Sequence, residues 1–218
     1  MQGFRAFKVI YGDGEVFLAA PAHGYGEANL DYPNGEAICG KGHRAPWPDC
    51  GCGYNAYSEP GGAVEYGASG IMADVWGHGK VDRYDVGFRS RRMRVMAFYQ
   101  PYCSRCTRKA AEVATVNPEA GWLKSVGFFC EACAGDFVAA AIRVVKVDTV
   151  MAQLASKYGA GLYDAETTLE RLTAWPDFQR QRDAAVAKAD AVRQARASDN
   201  LRRDQAKRDA RGAQMAAF

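Results

Sequence analysis

Seven cysteines in 218 residues, falling by spacing into two sets, constrain this chain more than any other feature. The first set is Cys39, His43, Cys50 and Cys52, in the pattern C-x3-H-x6-C-x-C. Three thiolates and one imidazole complete a tetrahedral shell of the donors that zinc takes in preference to magnesium or calcium. All four ligands lie within 14 residues, so closing the loop costs little chain entropy. Gly40, Gly42, Gly51 and Gly53 permit tight turns between ligands, and Pro46 and Pro48 stiffen the connecting arm.

The second set is Cys103, Cys106, Cys130 and Cys133, in the pattern C-x2-C-x23-C-x2-C, a spacing characteristic of zinc modules. Between the pairs, residues 110–116 and 122–129 read as two strands around a turn at 117–121. A short helix is expected from Ala134, carrying Phe137, Val138 and Ile142. A cysteine knuckle, a hairpin and a second pair at a helix start resemble the treble-clef or zinc-ribbon family over about 40 residues. That resemblance is specific in its ligands and silent on function.

Three cysteines in one set and four in the other use all seven. The expectation is two structural zinc ions per chain, with no thiol left for a disulfide or a catalytic nucleophile. A catalytic zinc keeps an open coordination position, whereas both sets supply four protein ligands. His23 and His78 stand alone and read as surface or hydrogen-bonded residues. The sequence holds no paired-carboxylate motif, Ser/His/Asp arrangement, phosphate-binding glycine loop or H-E-x-x-H. The chain is therefore expected not to be an enzyme and to have no small-molecule substrate.

Composition suits a globular protein, with 48% hydrophobic and 24% charged residues. No apolar run reaches the ~18–20 residues of a membrane span, and the opening residues lack the apolar stretch of a secretory signal. The expectation is a cytoplasmic protein with no membrane partner. Segments 4–10, 15–19, 53–57, 71–83 and 86–99 mix aromatic and β-branched residues between turn formers, with a turn at Tyr84-Asp85. From Asp148 the pattern becomes helical and stops at Gly159. A second helix starts at Asp164 and ends before Pro176. Residues 177–218 hold ten bases and six acids, a formal +4 in a chain of net +3, with a thin apolar stripe and many alanines.

The expected fold is α+β. A β-rich domain with the three-cysteine, one-histidine site occupies 1–100, and a treble-clef-like four-cysteine module occupies 101–145. Short helices packing on the core follow over 146–176, and an Ala/Arg-rich helical arm over 177–218.

Several segments resemble a group of uncharacterised actinobacterial and actinobacteriophage proteins. The matching pieces are Gly3-Phe4-Arg5-Ala6-Phe7, the block from Cys39 through Cys50-Gly51-Cys52-Gly53-Tyr54-Asn55-Ala56-Tyr57, Val75-Trp76-Gly77-His78-Gly79-Lys80-Val81, and Gly87-Phe88-Arg89-Ser90. The similarity spans roughly residues 3–100, with an echo at 154–162, and the 103–133 module looks like an addition to it. It implies a phage accessory protein working in the host cytoplasm. It implies no activity and no active-site residues.

Arg89, Arg91, Arg92 and Arg94 concentrate charge in one expected strand, and strict alternation divides them two and two between its faces. Arg105, Arg108 and Lys109 lie in the second module, and Arg202, Arg203, Lys207 and Arg208 in the arm. These residues read as contacts to a macromolecule, and Arg105 and Lys109, with Lys41 and Arg44, read alternatively as counter-charge for anionic metal–thiolate sites. The sequence favours a host or phage protein as the partner, with DNA or RNA as the alternative.

Overall fold

Strand β1 (Gln2–Gly12) is the element that joins the two halves of the fold. Its first half pairs antiparallel with β4 (Ile71–Tyr84), from Gln2 opposite Trp76 to Phe7 opposite Ile71. Its second half forms a hairpin with β2 (Glu15–Ala19) through Asp13 and Gly14, both at positive φ, as a two-residue hairpin turn requires. On its remaining edge, Ile10 and Tyr11 pair with Ser125 and Lys124 of β7 (Lys124–Phe129). The structure, a computed structural model, describes residues 1–19, 35–67, 70–106, 109–117 and 124–175, with scattered positions from 177 to 202.

Strand β5 (Gly87–Phe98) runs back along β4. Strand β3 (Tyr54–Tyr57) pairs with β5 and also bridges β1 at Phe4–Tyr57, so β1, β4, β5 and β3 close on themselves. Closure needs a close approach at Gly77, where a Cβ would sit 2.2 Å from the ring of the fully buried Phe88. Strand β6 (Val113–Asn117) forms a hairpin with β7 and pairs on its other side with β8 (Arg143–Lys146). The resulting order is β3-β5-β4-β1-β7-β6-β8, with β9 (Gly161–Leu162) beside β5. Hydrogen bonding crosses the sequence boundary at residue 100, and one apolar core holds Phe7, Val75 and Phe98 together with Val116, Val126 and Phe128.

Helix α3 (Val147–Tyr158) buries Val147, Val150, Met151, Leu154 and Tyr158 on that core and ends with Gly159 in the left-handed conformation. Helix α4 (Ala165–Thr173) is capped by Asp164, whose carboxylate accepts the Thr167 N–H at 2.7 Å. It covers part of the outer sheet face, with Leu172 packed near Tyr99 and Phe178. Beneath it the buried Asp74 carboxylate accepts from Tyr99 Oη at 2.7 Å, Tyr163 Oη at 3.1 Å and Arg171 at 3.2 Å. Burial, and then the bond to Asp74, push the Tyr99 phenol well above its ordinary range, so it stays a donor.

Three elements were not expected from the sequence, helix α1 (Pro60–Gly67) and strands β8 and β9. Helix α2 (Glu131–Ala140) starts three residues before the expected Ala134, with Cys130 as its N-cap. No helix among the described residues is long and apolar enough to cross a membrane.

The arginine strand corrects an expectation. The β4–β5 register shifts between His78 and Val81, where Gly79, at a positive φ of 76°, and Lys80 together lie opposite the single residue Arg91. Ser90 and Phe88 point inward before this bulge, and Met93 and Val95 do so after it. The phase of alternation changes between them, so Arg89, Arg91, Arg92 and Arg94 all leave on the same outward side.

Candidate metal centres

The first centre hangs from β5. Glu36 bridges to Arg92, and the Ala37 N–H donates to the Arg91 carbonyl at 2.8 Å, bringing the chain to Cys39. A turn follows in which Gly42 N–H donates to the Cys39 carbonyl at 2.9 Å and Lys41 N–H to Cys39 Sγ at 3.4 Å. Cys50 N–H returns to the Trp47 carbonyl at 3.1 Å, and Gly53, at φ 114°, leads into β3.

The four ligand atoms of Cys39, His43, Cys50 and Cys52 all lie within 4.8 Å of one another. Cys39 Sγ is 3.9 Å from Cys50 Sγ and 3.4 Å from His43 Nε2, and Cys52 Sγ is 3.6 Å from His43 Nδ1. A tetrahedral ion with bonds of about 2.3 Å to sulfur and about 2.0 Å to nitrogen has edges of ~3.8 Å and ~3.6 Å. These three separations lie close to such edges, with Cys39 and Cys52 beside different ring nitrogens of His43, and the set could hold one small ion.

Three of the four arginines secure this loop. Arg89 donates to the Cys50 carbonyl and pairs with Asp82 at 2.6 Å. Arg91 and Arg92 share the two oxygens of Glu36, Arg91 at 2.7 Å. Those hydrogen bonds, Arg92's first, hold the Glu36 carboxyl below its ordinary range. Among the described residues Arg94 forms no ion pair. Glu36 and Asp82 went unnoticed in the sequence, because each is distant in sequence or face-ambiguous until the register is known.

The second centre is built into regular structure. The Cys103 N–H donates to the Lys109 carbonyl and the Ser104 N–H to the Phe128 carbonyl of β7, which fastens the first pair to the sheet. Cys130 directly follows β7 and caps α2, and Cys133 lies in that helix's first turn, its N–H donating to the Cys130 carbonyl at 3.0 Å. All four Sγ atoms again lie within 4.8 Å, with Cys106 and Cys130 3.9 Å apart. Cys103 and Cys130 are buried with Phe129 and Ala134, and Phe137 stacks on Phe129 at 4.2 Å.

Four thiols this close cannot all ionise without a cation. Burial raises Cys103, yet backbone N–H groups of Cys106, Cys130 and Arg105 outweigh it and bring the thiol to about 7. The Cys130 thiol's hydrogen bond and burial push Cys133 up to about 12, and burial pushes Cys130 up as well. In the first centre the Cys52 N–H lowers Cys50, while burial raises Cys52. A bound dication removes this conflict by stabilising every thiolate at once.

Of the other basic candidates, Arg105 lies 5.8 Å over the Phe137 ring, and Lys109 contributes its carbonyl to the knuckle. Strands β4 and β1 stand between this group and the β5 arginines, so the structure does not unite them. Arg202 is exposed on a helical residue, whereas Arg108, Arg203, Lys207, Arg208 and His23 lie outside the described residues. His78 sits on the outer face opposite Arg92, outside both clusters.

No protein-family model, curated protein or solved structure matches this chain. The two four-ligand clusters, each able to hold one metal ion, are the functional features on which the chemistry rests.

Proposed function

We propose that both clusters hold zinc in a structural role and that the chain is a non-enzymatic nucleic-acid-binding protein, working through the outer face of β4–β5. Zinc suits the donors, three thiolates with one imidazole and four thiolates, and each set closes the tetrahedron with protein atoms. The second centre, with a knuckle, a hairpin and a pair at a helix start, supports a treble-clef-like assignment. The resemblance read from residues 3–100 of the sequence is the ground for proposing a host cytoplasm as the place of action.

One observation carries the choice of target. The irregular pairing of Gly79 and Lys80 with Arg91 gathers Arg89, Arg91, Arg92 and Arg94 on one side of the sheet, where strict alternation divides them. With Lys80, five cations there face two acids, Asp82 and Glu36, a formal excess of three. A surface that keeps this excess after its internal ion pairs are formed suits a polyanion.

The test is binding of random-sequence DNA and RNA to the zinc-loaded chain across a salt series. Log affinity should fall linearly with log salt, and Arg92→Gln with Arg94→Gln should flatten the slope by about 0.7–0.9 for each phosphate no longer neutralised. Capture of a host protein, the reading favoured by the sequence alone, retains one supporting observation. Ile142 and Val144 are exposed on and beside β8, the last strand in the described order, with Val138 exposed on the neighbouring α2. Nuclease-resistant, salt-insensitive capture of one polypeptide, without nucleic-acid binding at low salt, would establish that reading instead.

A further inference from the structure

We infer that the outer face of the β4–β5 ribbon is a track for a single strand of nucleic acid, on which bases stack on Trp76, His78 and Trp47 between the cations Arg94, Arg92 and Lys80. The inference rests on the nucleic-acid reading above and names the form of the ligand.

The strand register builds the track. Trp76 lies opposite Arg94, and His78 lies opposite Arg92, all four exposed on one face. Successive outward residues along a strand are about 6.7 Å apart, which suits the repeat of an extended, unstacked nucleotide chain. Beyond the bulge the line continues onto the metal loop. The Lys80 ammonium lies 5.8 Å from the centre of the Trp47 ring, which stacks on His43 of the first centre at 5.3 Å. Three aromatic rings, each with a cation beside it, thus follow one another across the face.

The exposure of these rings needs a reason. The fold buries Phe7, Phe88, Phe98 and Phe128 almost completely, yet Trp47 and Trp76 are each 46% exposed. A large ring left half in water offers a flat face to a partner with a flat face of its own. A duplex hides its base faces in the stack and shows only edges and phosphates, whereas an unpaired strand offers every base to an aromatic surface. The Arg89–Asp82 pair and the shared Glu36 hold the metal loop against β5, so Trp47 is positioned before any ligand arrives. At the other end, α4 and its neighbours Tyr99 and Tyr163 cover the sheet and bound the track.

The test uses the zinc-loaded full chain with an unstructured oligothymidylate and an oligouridylate, and with a duplex of the same length, all at one salt concentration. Both single strands should bind at least ten-fold more tightly than the duplex. Trp76→Ala should weaken that binding by about 5- to 150-fold, the range for loss of one stacked base, while leaving the salt slope unchanged. Arg94→Gln should do the reverse, lowering the slope with a smaller loss of affinity. Trp76 lies on β4 between Gln2 and Arg94 and belongs to neither ligand set, so its variant should retain both metal ions. Trp47→Phe, which keeps a ring beside His43, should retain them too and bind between wild type and Trp76→Ala. Equal binding of duplex and single strand, or a Trp76→Ala variant as tight as wild type, overturns the single-strand track and leaves nucleic-acid binding standing. Failure of every nucleic acid to bind at low salt overturns both.

Discussion

The two candidate metal centres each gather four ligand residues within 4.8 Å, but they are embedded in different ways. The first is a loop of partly exposed ligands, held to β5 by ion pairs and one strand-like bridge. The second has two buried ligands, one of them at the junction of a core strand and a helix. Its hairpin shares an apolar core with β1, β4 and β5. A cross-link in a loop constrains that loop, whereas one at the end of core strands constrains the sheet they belong to. Metal at the second centre is therefore coupled to global folding, and metal at the first to the shape of one surface.

The largest effect expected from this contrast is that of Cys130→Ser. Losing a buried ligand removes a structural site whose apparent binding energy is on the order of 10 kcal/mol, leaving protonated thiols in a core. Because β7 pairs with β1 and packs into the common core, unfolding should spread to residues 1–100. Hydrogen exchange should show protection abolished in β1 and β4 as well as in 113–129. Protection retained in 1–100 would mean that the halves fold separately.

A smaller effect is expected from Cys52→Ser. Metal content should fall from two ions to one, and protection should disappear over 35–53 while β6, β7 and α3 keep theirs. The melting transition should shift by only a few degrees. A global collapse equal to that of Cys130→Ser would erase the distinction between the centres.

The third and smallest effect lies in the pH dependence of metal uptake. In the metal-free second centre Cys130 and Cys133 are both raised, Cys133 to about 12, so at neutral pH both carry protons that metal must displace. The first centre has three thiols where the second has four, with Cys50 lowered and Cys52 raised, so fewer thiol protons leave. Metal binds thiolates and displaces thiol protons. Affinity at both centres therefore grows with pH and is lost as pH falls. The slope of log affinity against pH should be steeper at the second centre, by about one proton. Competition with a chromogenic chelator on single-centre variants measures both slopes, and equal slopes would contradict the assigned protonation.

Much of this was legible along the chain. Both ligand sets follow from local spacing, because a metal shell drawn from short loops is set by how many residues separate its donors. The strands at 4–10, 15–19 and 71–83, the Gly159 helix end and the Asp164 cap were likewise local matters of side-chain pattern and backbone conformation. Helix α1 escaped because Pro60-Gly61-Gly62 reads as a turn, whereas in the fold the segment packs on β1, β3 and β4. Strand β8 escaped because four residues carry too short a pattern to distinguish from a loop.

The sequence by itself thus determined which residues can bind metal and which segments form strands and helices. Tertiary structure alone decided that residues 1–100 and the hairpin share a core, since that depends on which edge of β1 receives β7. It also decided the faces of the arginines. Alternation has a period of two, so one bulged residue reverses every position beyond it, and only pairing with β4 reveals where the bulge falls. The same pairing set Glu36 against Arg91 and Arg92, and Trp76 against Arg94, neighbours far apart in the chain that no local pattern encodes.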